Sequence, residues 1–383
     1  MKSIKKLFKR AAFSLYSLYM SVTIPVEYNR SHRSGELSYL SKEDLEIWKR
    51  AMVRMVKEYC AYGYNLRVRQ IISTFSKSKI EIIKQTKMPE SKKPIVVLCV
   101  KNDLKRLQML VDHYRTLGVL KFAIMDNGST DGTFEWLMQQ EDIDLFKCLE
   151  PYQTLVKEGW INRLVSYYGF NRWYILTDSD ELVVYKGMER HPLADLIQWA
   201  EKTNTMRLMA LTLDTYSESS LFGKTDHIKE SYCWIDTDSY QEVETLRGNK
   251  KVKRLMGGPR YRLMKSSITL SKFPLVYFEP GTISDSAHYQ FPHDMIDTAP
   301  CNLGILHYKF IDKDLSEYEK RAKDHSGFSL NGKFYKQYID FISKNENASF
   351  MYEGSRKFVD SSVLDEIQLI KSIDLDAVGK TRS

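Results

Sequence analysis

The stretch that decides the fold is Pro94-Ile-Val-Val-Leu-Cys-Val100, a continuous apolar run of strand length. Such a run is typical of a strand that is buried on both faces in a parallel sheet. The polar residues Lys101-Asn-Asp103 follow directly, and apolar residues then recur at helical spacing until Gly118, which favours a helix end. A buried strand followed by an amphipathic helix is the first unit of an α/β domain.

The same alternation continues along the chain. Further strands are predicted at 122–125, 173–177 and 206–213, and further helices at 134–140 and 192–202. We therefore predict an α/β fold with an open, doubly wound, mostly parallel sheet. Because ligands of such sheets bind at the carboxyl ends of the strands, the polar residues that follow each strand are the candidates for a site.

Both flanks of this domain are predicted to be helical. Residues 42–59 carry an apolar stripe at helical spacing, residues 71–83 are a second helix candidate, and residues 311–345 show two further helical patterns. The polar, proline-containing segment 88–93 is typical of a linker. We therefore divide the chain into a mostly helical N-terminal extension, a central α/β domain and a helical C-terminal extension, over 1–93, 94–310 and 311–383.

Composition excludes several classes of protein. Of the 383 residues, 43% are hydrophobic and 28% charged, as in an ordinary soluble globular protein. The five cysteines form no Cys-x-x-Cys pair, which argues against a disulfide framework and a zinc site and favours a reducing compartment. The net charge is +8, but the basic clusters at 2–10 and 247–262 are short and no nucleic-acid-binding motif is present, so we expect no nucleic acid partner.

The N-terminus predicts a peripheral contact with a membrane. Five of the first ten residues are basic, and residues 11–26 carry no charge. This segment fits a poor signal peptide, an interfacial helix or the first helix of the fold, and the helical spacing of its apolar residues favours an amphipathic helix. It holds no apolar run of the ~18 residues that a spanning helix needs. We expect a cytoplasmic protein at the inner face of a membrane.

Two acidic motifs lie at the ends of predicted strands. Asp178-Ser-Asp180 follows the strand 173–177, so both carboxylates reach the ligand edge of the sheet, where hard cations that bridge to phosphates take oxygen ligands. Aspartates in loops are commonly turn residues, and the buried strand before them is what favours a metal site. Asp126-Asn-Gly-Ser-Thr-Asp-Gly-Thr133 is longer than a turn and a helix cap need, and its glycines permit close backbone approach to a ligand.

With these motifs and others in order, the chain resembles a family-2-type glycosyltransferase of GT-A fold, in the subgroup related to glycosyltransferase family 92. The resemblance covers about 94–340. It rests on seven motifs, Lys101-Asn-Asp103, Asp126–Thr133, Trp173–Glu181, Gly257–Arg262, Lys272–Leu275, Ser286–His288 and Leu306–Phe310. The family pattern often has Glu where Asp103 stands here, a change that keeps the carboxylate. The resemblance implies a GT-A type of fold for 94–310.

The resemblance also implies a donor site for a nucleoside-diphosphate sugar. Asp126, with Asn127 beside it, would hold the nucleotide base. Asp178 would lie near the ribose, and Asp103 would be a further residue that binds the nucleotide sugar.

A metal site is implied at the diphosphate of the donor. Asp180 and His307 would be protein ligands of Mn²⁺ or Mg²⁺. A single histidine after a strand is more often structural, and the nearby Asp-x-Asp motif is what favours a ligand here. Arg260, Arg262 and Lys309 would neutralise the leaving diphosphate, because positive charge there stabilises the developing oxyanions.

The catalytic base is the least determined residue. Inverting transfer needs a carboxylate that takes the proton of the acceptor hydroxyl. Asp214, which ends the predicted strand 206–213, is the first candidate, Asp285 the second and Glu279 the third. For each of them, a structural role is the more frequent explanation.

The sequence therefore predicts an enzyme that transfers a sugar, with inversion, from a nucleoside-diphosphate sugar to a hydroxyl of a glycan or lipid-linked acceptor. UDP is the expected nucleotide. One alternative is a catalytically inactive binding module that kept the fold, against which the intact acidic pair argues. A second is a sugar-nucleotide nucleotidyltransferase, which needs a glycine-rich loop after the first strand, and residues 97–103 contain no glycine.

Overall fold

The computed structural model describes residues 78–87, 93–219, 221, 227–247, 250–293, 298–311, 314–323, 333–345 and 348–379, together with a few residues between 43 and 55. The residues described between 43 and 55 are helical, as predicted. The amphipathic segment predicted at 11–26, and most of the helix predicted at 71–83, lie outside the described residues.

The described strands form one large sheet and three two-stranded sheets. In chain order they are β1 (Glu81–Lys84), β2 (Ile95–Val100), β3 (Phe122–Asp126), β4 (Ile143–Lys147), β5 (Arg172–Leu176), β6 (Glu181–Val184), β7 (Arg207–Asp214), β8 (Trp234–Asp236), β9 (Tyr240–Arg247), β10 (Lys250–Gly257), β11 (Ser271–Phe278), β12 (Ile283–Ser284), β13 (Gln290–Phe291), β14 (Cys301–His307) and β15 (Ser355–Lys357).

Helices connect most strands of the large sheet. In chain order they are α1 (Leu104–Thr116), α2 (Thr133–Gln139), α3 (Thr154–Tyr168), α4 (Leu193–Lys202), α5 (Ile228–Ser231), α6 (Gly258–Met264), α7 (Asp314–Lys323), α8 (Lys333–Ile342) and α9 (Asp376–Gly379), with a 3₁₀ helix at Ser361–Glu366.

The large sheet has nine strands in the order β1-β4-β3-β2-β5-β11-β7-β14-β6. β2, β3, β4 and β5 run in one direction, and β7 is parallel to β14, whereas β1, β6 and β11 are antiparallel to their neighbours. The predicted α/β class with a mostly parallel sheet is confirmed, in a form consistent with a GT-A type of fold. The chain places β3 and β4 on one side of β2 and then returns to place β5 on the other side, which makes a switch point where a crevice opens.

Hydrophobic burial explains these elements. The first strand predicted from the sequence is fully buried from Ile95 to Leu98. In α1, buried apolar side chains recur at Leu107, Leu110, Val111 and Tyr114, one stripe of a 3.6-residue period. Each fully buried side chain of this size contributes about 1.5–3 kcal/mol to folding before chain entropy is counted.

The sheet begins before Pro94, which differs from the prediction. Residues 81–83 were expected in a helix, but Glu81–Lys84 forms the edge strand β1, antiparallel to β4. The ammonium of Lys84 also binds the carbonyls of Leu137 and Met138 at the end of α2, at 2.7 and 3.0 Å. These long-range contacts stabilise the strand. Its own four residues show no alternation of apolar and polar side chains that would predict a strand.

The C-terminal segment contains more than helices. α7 and α8 lie in the stretch with helical patterns, but β15 then pairs antiparallel with β8. Among the described residues, every helix is too short or too polar to cross a membrane.

Candidate functional site

The sheet register brings three ionisable side chains together at one edge. His307 ends β14 and is paired on one side with Asp214, the last residue of parallel β7, and on the other with Glu181, the first residue of antiparallel β6. The turn before β6 carries Asp180, whose carbonyl accepts a hydrogen bond from the backbone N–H of Tyr308 at 2.8 Å. The carboxyl ends of parallel strands and the amino ends of antiparallel ones thus meet at a single edge.

Asp180, Glu181 and His307 form a candidate metal centre. One ligand atom from each lies within 4.8 Å of the other two. The Nε2 atom of His307 is 3.4 Å from a carboxylate oxygen of Asp180. Two carboxylates and one imidazole suit a divalent cation such as Mn²⁺, because carboxylates are the preferred ligands of Mg²⁺ and Mn²⁺ and an imidazole suits transition metals.

Two buried side chains, Asp214 and Arg260, fix the orientation of the His307 imidazole. Its Nδ1 atom donates to one oxygen of Asp214 at 2.7 Å, and the guanidinium Nε of Arg260 donates to the other oxygen at 2.6 Å. Burial would raise the pKa of Asp214, but Arg260 and then His307 lower it, so this carboxylate is ionised and can only accept. The proton therefore lies on Nδ1, which leaves Nε2 available as a ligand.

The charges of the cluster stabilise one another. Burial would raise the pKa of Asp180, but His307, followed by Arg106 and Lys309, lowers it well below its ordinary value. Burial would lower the pKa of His307, but Asp180 and Asp214 raise it. The site thus favours ionised carboxylates, the form that binds a cation. The raised pKa of His307 favours the doubly protonated ring when no cation is bound, so a cation would replace the proton on Nε2.

Two lysines flank the acidic turn. The ammonium of Lys157, on α3, forms an ion pair with Asp178. Lys272, near the start of β11, forms an ion pair with Glu181 and lies 3.9 Å from Asp178. They hold Asp178 and Glu181 at the sheet edge.

Arg106 connects the edge of the sheet to the C-terminal helices. Its Nε donates to both carboxylate oxygens of Asp103, at 2.9 and 3.0 Å. Its Nη1 donates to the carbonyl of Tyr308 at 3.0 Å and to Asp314, the first residue of α7, at 2.8 Å. The hydroxyl of Ser179, between the two aspartates of the motif, donates to Asp103. One buried guanidinium therefore joins the β2–α1 loop, β14 and α7.

A cavity of about 730 Å³ opens at this edge. The metal candidates and Arg106 line it on one side, and α7 and α8 close it with tyrosines. The ammonium of Lys309 lies over the rings of Tyr318 and Tyr335, 5.4 and 5.7 Å from their centroids. This volume suits a small-molecule ligand.

Most predicted site residues meet in this cavity. The ones that line it are Asp103, Asn127, Asp178, Asp180, Arg260, His307 and Lys309. Asn127 is part of the cavity wall. Its side-chain amide is held by hydrogen bonds that it donates to the carbonyls of Cys148 and Glu150, at 2.7 and 2.8 Å.

Two predicted donor-site residues are not in the lining of the cavity. Asp126 is fully buried, and one of its oxygens accepts from the N–H groups of Gly128 and Ser129, both at 3.0 Å, so the carboxylate shapes the loop itself. Arg262 pairs with buried Asp236 at 3.1 Å and stacks over Tyr352. Their predicted contacts with the donor stay predictions.

None of the three candidate bases is in the lining of the cavity: Asp214 and Asp285 are buried, and Glu279, which follows β11, is exposed. Asp214 is buried with both oxygens occupied by His307 and Arg260. Asp285 is fully buried, and His293 Nε2 lies 2.8 Å from one of its oxygens. Direct proton transfer at either residue stays a prediction, since neither carboxylate lines the cavity.

Several residues in or beside the cavity were not among the site residues predicted from the sequence. Glu181 follows Asp180 directly, and its acidity was a visible signal, but only the β6–β14 pairing shows that it faces His307. Lys157, Arg106 and Tyr152 lie in stretches whose pattern shows only helix or loop.

Comparison with known proteins adds little to this geometry. No family model matches the chain, and no curated protein matches it. Among solved structures, it is similar to glucosyl-3-phosphoglycerate synthase from Mycobacterium tuberculosis, crystallised with Mn²⁺, uridine diphosphate and glucosyl-3-phosphoglycerate. The identity is 15% and the TM-score 0.23; the match covers 36% of this chain and 47%, about half, of that one.

Proposed function

We propose that the protein is a metal-dependent glycosyltransferase that uses a nucleoside-diphosphate sugar. The observation that carries this proposal is the Asp180–Glu181–His307 cluster, which lies at the ligand edge of the α/β sheet in a cavity of about 730 Å³. A hard cation bound by carboxylates beside basic side chains is an arrangement suited to a diphosphate.

The donor set fits Mn²⁺, with Mg²⁺ as the alternative. Asp180, Glu181 and His307 would hold the cation, which neutralises charge on the diphosphate when bound. Lys309 and Arg260 line the same cavity and supply further positive charge where the leaving diphosphate forms. Asp178, held by Lys157, is then at the position proposed for the ribose.

Asp214 acts as a positioning residue in this proposal. Both its carboxylate oxygens accept hydrogen bonds, one from His307 and one from Arg260, so it holds the imidazole in the tautomer that presents Nε2. A carboxylate committed in this way is a poor acceptor for the proton of the sugar acceptor.

The acceptor in this proposal is a hydroxyl of a glycan or a lipid-linked sugar, and the transfer inverts the anomeric centre. The peripheral membrane contact belongs to the same proposal, because lipid-linked acceptors lie at membranes. It would be made by the N-terminal segment outside the described residues. Retention of the protein on anionic vesicles, reversed by salt, would support this contact.

The test is isothermal titration of UDP into the full-length protein with Mn²⁺ or with EDTA. We expect UDP to bind in the presence of Mn²⁺ and not in the presence of EDTA. We expect Asp180→Asn to lose this metal-dependent binding. Asp365→Asn is the matched control, because this carboxylate is half exposed and pairs with Lys186 away from the cavity. Equal affinity with and without metal, or in Asp180→Asn, would contradict the proposal.

Release of UDP from UDP-sugars separates an enzyme from an inactive binding module. An active transferase releases UDP with Mn²⁺ and an acceptor preparation, and Asp180→Asn reduces that rate by more than about tenfold. Metal-dependent UDP binding without release from any UDP-sugar would favour the inactive module.

A further inference from the structure

Tyr152 is the most exposed of the large aromatic residues that line the cavity. It lies in the segment between β4 and α3, and 39% of its surface is exposed. Tyr318 and Tyr338 of the same lining are buried, and Phe334 and Tyr335 are partly buried. An exposed aromatic face inside a ligand cavity is a surface on which a flat ligand group can stack.

The residues that precede Tyr152 are anchored by hydrogen bonds. The amide of Asn127 donates to the carbonyls of Cys148 and Glu150, and Ser78 donates to the Glu150 carboxylate at 2.6 Å. Pro151 comes next and fixes its own backbone torsion. The ring of Tyr152 is thus presented by a braced loop, which lowers the entropy cost of stacking.

Tyr152 shares the cavity with the acidic motif, because Tyr152 and Asp178 both line it. Burial raises the pKa of the Tyr152 hydroxyl, Lys157 opposes this shift and Asp178 adds to it. The side chain is therefore within the electrostatic reach of the Lys157–Asp178 ion pair and stays partly exposed at the cavity. This places the ring next to the residue proposed for the ribose.

The place of Tyr152 along the ligand edge of the sheet indicates which part of a bound nucleotide it would contact. The metal candidates lie on the β5, β6 and β14 side of the edge, whereas Tyr152 follows β4, beyond β3 and β2. A nucleotide whose diphosphate lies at Asp180 and whose ribose lies at Asp178 extends its base toward β3 and β4.

We infer that Tyr152 is the stacking platform for the nucleobase of the donor. This inference rests on the proposed function, because it takes the ligand to be a nucleoside diphosphate held by a metal. Stacking tolerates any base, since every base has a π-face. The platform therefore provides affinity for the nucleotide, and the polar loops around it would select one base over another.

The experiment compares UDP with inorganic pyrophosphate, both titrated with Mn²⁺ into the full-length protein. Tyr152→Ala is expected to weaken UDP binding by about fivefold or more and to leave pyrophosphate binding within twofold. Tyr152→Phe keeps the ring and should bind UDP as the native protein does. Tyr261→Ala is the matched control, because its ring is 42% exposed and is not in the lining of the cavity.

The outcomes separate this inference from the proposed function. Unchanged UDP affinity in Tyr152→Ala would overturn the platform alone. An equal loss for UDP and pyrophosphate would also overturn it, since the residue would then act through Lys157 and Asp178. Pyrophosphate binding without binding of UDP, GDP or dTDP would contradict a nucleobase site. Failure of the native protein to bind any of these with Mn²⁺ would overturn the proposed function itself.

Discussion

His307 donates from Nδ1 to Asp214 at 2.7 Å, and its other ring nitrogen faces Asp180 at 3.4 Å. The imidazole therefore bridges a buried carboxylate and a carboxylate of the cavity. A carboxylate behind a histidine fixes its tautomer and raises its basicity as a metal ligand. This relationship gives Asp214 a testable role.

Asp214→Asn should weaken Mn²⁺ binding by about 10- to 100-fold. An asparagine side chain has one acceptor oxygen for these two donors, so either Arg260 or His307 would face an NH₂ group, and the negative charge behind the imidazole would be lost. Titration of Mn²⁺ followed by electron paramagnetic resonance measures the change.

Asp285→Asn is the control for this variant. Asp285 is equally buried but pairs with His293 instead of the cluster. It should leave Mn²⁺ affinity unchanged even where it lowers stability. Equal Mn²⁺ affinities in native protein and Asp214→Asn would show that the buried carboxylate does not support the ligand.

Lys309→Gln should weaken UDP binding by about tenfold and should leave Mn²⁺ affinity unchanged or raise it, because the variant removes a positive charge that acts on Asp180. Lys309 lines the cavity and lies over Tyr318 and Tyr335. A charge-assisted bond to phosphate contributes about 1.5–3 kcal/mol, which this variant removes. Parallel titrations of UDP and of Mn²⁺ alone measure both quantities, and a loss of Mn²⁺ affinity would contradict this role.

Arg106→Gln should lower the free energy of unfolding by about 3–5 kcal/mol, because the carboxylates of Asp103 and Asp314 would stay buried without their cation. Urea unfolding measures it. Arg115→Gln, on the same helix, removes a more exposed pair with Asp142 and should cost at most about 1 kcal/mol. Similar losses in both variants would refute the connecting role of Arg106.

Stability should fall between pH 6.5 and pH 4 because of His113. Burial lowers its pKa from 6.5 to about 4, and its Nε2 lies 2.7 Å from the carbonyl of Val183. Above pH 6.5 both folded and unfolded states are neutral, so the full stability is present. Below it the unfolded state binds a proton that the native state does not, so the free energy of unfolding falls as the pH falls.

The loss from His113 should reach about 2 kcal/mol at pH 5. Urea unfolding at pH 7 and pH 5, in native protein and His113→Gln, isolates this contribution, because other groups titrate in both proteins. Glutamine keeps an N–H near the carbonyl of Val183. An identical pH dependence in the two proteins would contradict the assignment.

The sequence predicted the elements whose signal is local. The apolar run Pro94–Val100 and the stripe of α1 are visible in consecutive residues, because burial on both faces of a strand or on one face of a helix leaves a short-range period. The Asp178–Asp180 motif was placed at the ligand edge for the same reason, since it follows a buried strand.

Features that depend on strand pairing could not be predicted. Glu181 faces His307 only because β6 is antiparallel to β14 in that register, and a pairing across this separation leaves no mark on the adjacent residues. The role of Asp214 also depends on contacts that are distant in sequence. It ends a strand at the correct edge, but the partners that occupy its oxygens come from β14 and α6.

The most direct test of the metal centre is pulsed electron paramagnetic resonance of Mn²⁺ bound to the full-length protein. The account predicts a nitrogen coupling from the imidazole of His307, present in the native protein and absent in His307→Gln, where residual binding is weaker. His191→Gln, at a partly buried histidine that contacts Asp376 and does not line the cavity, should keep the coupling. Bound Mn²⁺ without nitrogen coupling, or with a coupling that survives in His307→Gln, would contradict a centre built from Asp180, Glu181 and His307.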